Sequence, residues 1–93
     1  MKRKKINDIR KKLDVLDTNI LNLIKKRTLL VDDVLKTKKY KNQIIDKKRI
    51  TAILKKIKST SIKKGIDTKI SVYIWKSMIR AFINYEFRKF KKK

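Results

Sequence analysis

The apolar residues of the first third of the chain fall at Ile6, Ile9, Leu13, Leu16, Ile20, Leu23, Leu30 and Val34. Steps that alternate between three and four, without Gly or Pro, predict one long helix over 6–39 carrying a coiled-coil-like seam. Position 27 belongs to the same alternation, and it is Arg27. A guanidinium has no acceptor of its own and is costly to bury alone, so a seam arginine calls for an anion facing it. That anion is a carboxylate either of this protein or of a ligand. The helix would measure about 50 Å, whereas a globule of this chain length has a radius of gyration of about 12 Å. One chain cannot wrap it, so the expected assembly is a twofold homodimer in which two copies cover each other's seams.

Periodicity lapses in the polar stretch Lys39-Tyr40-Lys41-Asn42-Gln43. After Ile44 and Ile45, Asp46 is a natural N-cap for a second helix with Ile50, Ile53, Leu54 and Ile57 on one face, running through Ile62. Gly65, the single glycine of the chain, stands where a left-handed C-terminal cap is wanted. Asp67 then caps a third helix that reaches almost to the terminal lysines, with Ile70, Ile74, Trp75, Met78, Ile79, Phe82 and Phe90 on its apolar side. Glu86 lies four residues after Phe82 on that side, a carboxylate on a buried stripe. The expectation is an all-α chain of three helices, the first the longest, forming one domain over 1–93 with basic tails about 1–5 and 91–93.

Composition changes this picture in two ways. The formal net charge is +22 in 93 residues, which invites a nucleic-acid or anionic-membrane reading. The basic residues are mostly lysines scattered among Ile and Asn, as AT-rich codon usage produces, and they read as a solvated face with no nucleic-acid partner implied. The charge still attracts small anions. Absence of Cys and His removes disulfides, thiol nucleophiles, imidazole bases and nearly every transition-metal site, so no metal or cofactor is expected. The basic start Met1-Lys2-Arg3-Lys4-Lys5 precedes an amphipathic helix, unlike a secretory signal. No run approaches membrane-spanning length, so neither a membrane partner nor a location outside the cytoplasm is expected.

Two further cations flank the seam. Arg10 and Lys38 each follow a seam position, Ile9 and Thr37, and share the same heptad place. On a continuous helix Lys38 would lie roughly 16 Å from Arg27 and Arg10 roughly 25 Å from it. Lys38 can then share a ligand with Arg27, while Arg10 must serve a pocket formed with a second copy. Pairing of Arg27 with Glu86 is the structural explanation of both buried charges, and such a pair adds little net stability. The functional explanation is a pocket lined by Arg27, Lys38, Arg49, Glu86 and a second chain's Arg10, suited to a dianion. With no nucleophile or metal, it fits a unimolecular rearrangement or elimination of a dicarboxylate, driven by conformational restraint and placed charge.

At these residues the chain resembles the AroQ class of chorismate mutases, which are all-helical intertwined homodimers. The resemblance spans about 6–90 and rests on Ile9-Arg10, Leu13-Asp14-Val15-Leu16-Asp17, Leu23-Ile24-Lys25-Lys26-Arg27, Val34 with Lys38, Asp46-Lys47-Lys48-Arg49, Gly65-Ile66-Asp67, and Ile74-Trp75 through Ile79 to Glu86. It implies a Claisen rearrangement of chorismate to prephenate in aromatic amino acid biosynthesis, the shikimate pathway. By carry-over, Arg27 and the other copy's Arg10 grip the two substrate carboxylates. Lys38 and Glu86 face the ether oxygen, Glu86 donating to it only if protonated, which burial favours and the neighbouring cations oppose, and Asp46 and Arg49 line the ring and hydroxyl side. The sequence departs from the pattern at Ile50, where mutases usually carry Glu. It departs also at Phe82, where some members have a small hydroxyl residue, and in a 39–45 connection that lacks the usual Pro and is one residue short. Ile50 keeps a second reading open, because isochorismate-pyruvate lyases share the cations and have an apolar residue there. A basic nucleic-acid binder is a third, resting on charge alone.

Overall fold

The computed structural model of the protein describes residues 2–91. They form three α-helices, α1 (Lys2–Lys36), α2 (Lys47–Lys64) and α3 (Thr68–Lys89), with a short 3-10 turn at Lys41–Gln43 and no strand among the described residues. The all-helical expectation holds. Met1, Lys92 and Lys93, the outermost residues of the expected basic tails, lie outside the described residues.

The chain divides into two units, Met1–Val31 and Asp32–Lys93. In the first, Ile6, Ile9, Leu13, Leu16, Ile20 and Leu23 are 45–61% exposed along the seam. Helix α1 already includes Lys2–Lys5, earlier than the expected start at Ile6.

The second unit corrects the other end of that helix. α1 stops at Lys36, so Lys38 is not on it and a spacing along its axis does not describe Lys38. The cause is local. The amides of Thr37 and Lys38 donate to Val34 O at 3.0 Å and Leu35 O at 3.1 Å, tightening the end from i→i−4 to i→i−3 bonding. The Thr37 hydroxyl also donates to Val34 O, at 2.6 Å. Gln43 then reaches back and accepts from the amides of Lys39 (2.7 Å) and Tyr40 (2.9 Å), stabilising a turn where the helix would have continued.

Helix α2 begins where Asp46 accepts from the Arg49 amide at 3.0 Å, and ends at Gly65, whose φ of 70° lies in the left-handed region. The Ile66 amide donates to Ser61 O (2.8 Å) and the Gly65 amide to Ile62 O (3.2 Å), the paired bonds of a Schellman cap. Asp67 caps α3 by accepting from the Lys69 amide at 2.8 Å. With so short a connection, α2 and α3 fold against each other as a helical hairpin. At its closed end Ser61 and Ser71 are buried with their hydroxyl oxygens 2.6 Å apart. Ser61 spends its single proton on Ile57 O (2.6 Å), so Ser71 is the donor between them. Ile50, Ile53, Leu54 and Ile57 of α2 are half-buried, as are Trp75, Met78 and Phe82 of α3, with Ile79 buried. Ile62, Ile70 and Ile74 are at least half exposed, so the apolar stripe expected of each helix is only partly covered within this unit.

Candidate active site

In the second unit the structure brings two sequence-selected residues together. Glu86 is on α3, one turn before its C-terminus, and is 7% exposed. Lys38, delivered by the tight end of α1, reaches in from the connecting segment. Its Nζ is 3.8 Å from Glu86 Oε2, with side chains 16% and 9% exposed respectively. At that separation the contact is an ion pair without hydrogen-bond distance. The ammonium also donates to Ile44 O at 3.4 Å, and Ile44 itself is buried at 3% exposure. Ile44 is thus both the apolar anchor of the connection and the carbonyl that aims Lys38. In the sequence Ile44 stands only as an apolar residue leading into α2. An ammonium has three donors, so Lys38 has the capacity for another acceptor beyond Ile44 O and Glu86.

The remaining candidates differ in exposure. Asp46 and Lys38 line one cleft of about 580 Å³, with Thr37, Gln43 and Ile45 also in its wall. Asp46 and Arg49 are exposed at the start of α2, and Ile50 and Phe82 are half-buried. Arg10 and Arg27 stand in the first unit on α1, Arg10 exposed and Arg27 half-buried.

A second polar contact, unsuspected from sequence, lies beside Glu86. Tyr85 donates its hydroxyl to Asp32 Oδ1 at 2.6 Å. Its phenol titrates above the ordinary tyrosine value, chiefly because the proton is held in that hydrogen bond. Burial and repulsion by the Asp32 charge add to the effect, and Arg88 opposes it. The Tyr85 ring meets Phe82 edge-on at 6.5 Å between centroids, and Lys89 Nζ lies 6.0 Å from its centroid. The one available signal was that Tyr85 directly precedes the carboxylate on the apolar stripe.

Among the described residues, no cluster of His, Cys, Asp or Glu is placed to hold a metal ion, and no helix is long and apolar enough to cross a membrane. What the second unit offers chemically is a sheltered ammonium beside a carboxyl group, with Lys38 also lining a cleft edged by Asp46. Such a pair can present one or two protons to an oxygen that gains negative charge. The sequence model of the family described as chorismate mutase type II matches residues 9–87. No curated protein and no solved structure matches the chain.

Proposed function

The chain belongs to the chorismate mutase type II family, and from that premise we propose that it catalyses the rearrangement of chorismate to prephenate for aromatic amino acid biosynthesis in the cytoplasm. The working form is an intertwined homodimer of one domain per chain, 1–93. The observation that carries the reading is the sheltered pairing of Lys38 with Glu86 at 3.8 Å. The exposed seam of the first unit supports the dimer. Full burial of a Leu or Ile side chain contributes roughly 1.5–3 kcal/mol, so six such residues outweigh a substantial part of the entropic cost of association.

In this mechanism no bond to the protein forms. Arg27 and the second copy's Arg10 hold the two carboxylates and fold the enolpyruvyl side chain over the ring, turning a rare conformer into the bound one. Lys38 donates to the ether oxygen. That oxygen becomes more negative as its bond to carbon breaks, so the interaction is stronger in the transition state than in the ground state. Glu86 donates to the same oxygen when protonated. Asp46 and Arg49 meet the ring and its hydroxyl, with Ile50 and Phe82 forming apolar wall.

Ile50 supports one further reading. It is half-buried in the first turn of α2 and supplies no acceptor for the ring hydroxyl, which suits an isochorismate-pyruvate lyase on the same scaffold. One experiment separates the two: purified protein is given chorismate and, separately, isochorismate. Prephenate from the first is the expected result. Salicylate plus pyruvate from the second favours the lyase, and turnover of neither overturns both.

A further inference from the structure

Tyr85 and Asp32 are absent from every role assigned above, yet their bond is placed to govern the site. The Tyr85–Asp32 distance of 2.6 Å is that of a hydroxyl donating to a carboxylate, among the stronger hydrogen bonds in proteins. Tyr85 immediately precedes Glu86 on α3, and Asp32 is in the last turns of α1, six residues before Lys38. Neighbours on a helix point about 100° apart, so Tyr85 grips the end of α1 from one side while Glu86 faces Lys38 from another.

The chain between the two contacts is stiff. Asp32 to Lys36 is helix, and the amides of Thr37 and Lys38 are bonded to Val34 O and Leu35 O. Asp32, Lys38, Glu86 and Tyr85 therefore close a ring of backbone and side-chain contacts. Its flexible member is the four-carbon stem of Lys38. We propose that the Tyr85–Asp32 hydrogen bond sets the spacing between Lys38 and Glu86, which makes Tyr85 and Asp32 positioning residues for the site. The inference rests on the reading of Lys38 and Glu86 as the groups that face the ether oxygen. A phenol at the ordinary tyrosine value or above, as here, is in its donor form throughout the neutral range.

Loss of the tether lets Lys38 drift relative to Glu86, and a displacement of about 1 Å in a catalytic group costs up to about a hundredfold in rate. Tyr85→Phe is expected to lower kcat about tenfold with KM within about twofold, because the misplaced interaction is one made in the transition state. Asp32→Asn retains an acceptor and recovers most of the rate, whereas Asp32→Leu matches Tyr85→Phe. Combining Tyr85→Phe with Asp32→Leu costs no more than either alone, as expected for two ends of one contact. A Tyr85→Phe kcat within about twofold of the unsubstituted protein, or losses that multiply in the double variant, overturns the proposal. The Asp32 pair leaves the aromatic ring in place and decides the matter if Tyr85→Phe does not fold.

A second measurement needs no turnover and separates this inference from the functional reading. With Glu86 carboxyl-labelled for NMR, Lys38→Met displaces the titration midpoint of that carboxyl by removing the adjacent ammonium. If the tether sets the spacing, the displacement shrinks when Tyr85→Phe is already present. An undiminished displacement overturns the tether, and a protein inactive on both substrates overturns the function while leaving this test intact.

Discussion

Replacing Lys38 by Met keeps the length of the side chain and deletes its charge, so it isolates what the ammonium contributes. Across 3.8 Å a pair of unit charges attracts by about 4 kcal/mol at an effective dielectric constant near 20. Burying both groups offsets much of this, and the net worth of such a pair is small. Stability and catalysis should therefore respond differently. At neutral pH the variant leaves Glu86 without its adjacent ammonium, and about 3 kcal/mol of stability is lost when one member of a buried pair is removed. Lys38→Met with Glu86→Leu replaces both charges by apolar groups and recovers most of that loss. Activity should not recover in the double variant. Deleting a transition-state donor costs about 10²–10³ in kcat, or about 2.7–4 kcal/mol of barrier. Urea denaturation at fixed protomer concentration reads the first quantity, and loss of chorismate absorbance reads the second. The reasoning is refuted if Lys38→Met turns over chorismate within about threefold of the unsubstituted protein. A double variant that regains activity along with stability refutes it equally, since the pair would then be scaffold only.

Further outcomes follow from the same geometry. Arg10→Ala and Arg27→Ala, each inactive alone, should regain activity when refolded together, because half the sites of a mixed dimer carry both arginines; a mixture that stays inactive removes the shared pocket. Activity should decline as pH rises if a protonated Glu86 donates to the ether oxygen, and Glu86→Gln, which donates at all pH values, should flatten the profile; an unchanged profile assigns the titration to another group. Gly65→Ala should lower stability by about 1 kcal/mol in urea denaturation, the strain of a left-handed φ of 70° on a residue with a Cβ. The added methyl meets nothing within 4 Å, so a much larger loss would show that packing and not φ decides the site. In alkaline solution the unfolded chain releases the Tyr85 proton near the ordinary tyrosine value while the folded chain still holds it. The contribution of Tyr85 is thus complete below that value and lost as pH climbs through the folded one. The stability difference between the unsubstituted protein and Tyr85→Phe should shrink over that window, and a constant difference argues against the Asp32 bond.

What the sequence disclosed depended on whether one residue carried the signal. Asp46, Gly65 and Asp67 each mark a helix terminus by their own chemistry, and the structure has caps at all three. The end of α1 was not legible in that way. It is fixed jointly by the Thr37 hydroxyl and by Gln43, several residues further on, which bonds the very amides that continued helix would have used. A seam pattern describes side chains and is blind to such competition for backbone groups. Lys38 and Glu86 were selectable because each is a charge on or beside an apolar stripe. Tyr85 and Asp32 were not, since a tyrosine near such a stripe and an aspartate on a basic helix are ordinary until their separation is known.

Ile50 shows where chemistry has to replace pattern. The half-buried side chain offers no acceptor, so a ring hydroxyl bound against it must satisfy itself elsewhere or stay hydrated. A site that leaves a substrate hydroxyl uncompensated loses affinity by the cost of an unmade hydrogen bond, about 1–3 kcal/mol, whereas in the proposed mechanism Lys38 and Glu86 would act on the breaking bond irrespective of that hydroxyl. Substitution Ile50→Glu should accordingly lower KM for chorismate by about tenfold or more, with kcat little changed. If it instead lowers kcat while leaving KM alone, Ile50 belongs with the groups that set the transition state, and the apolar wall is there to shape a different reaction.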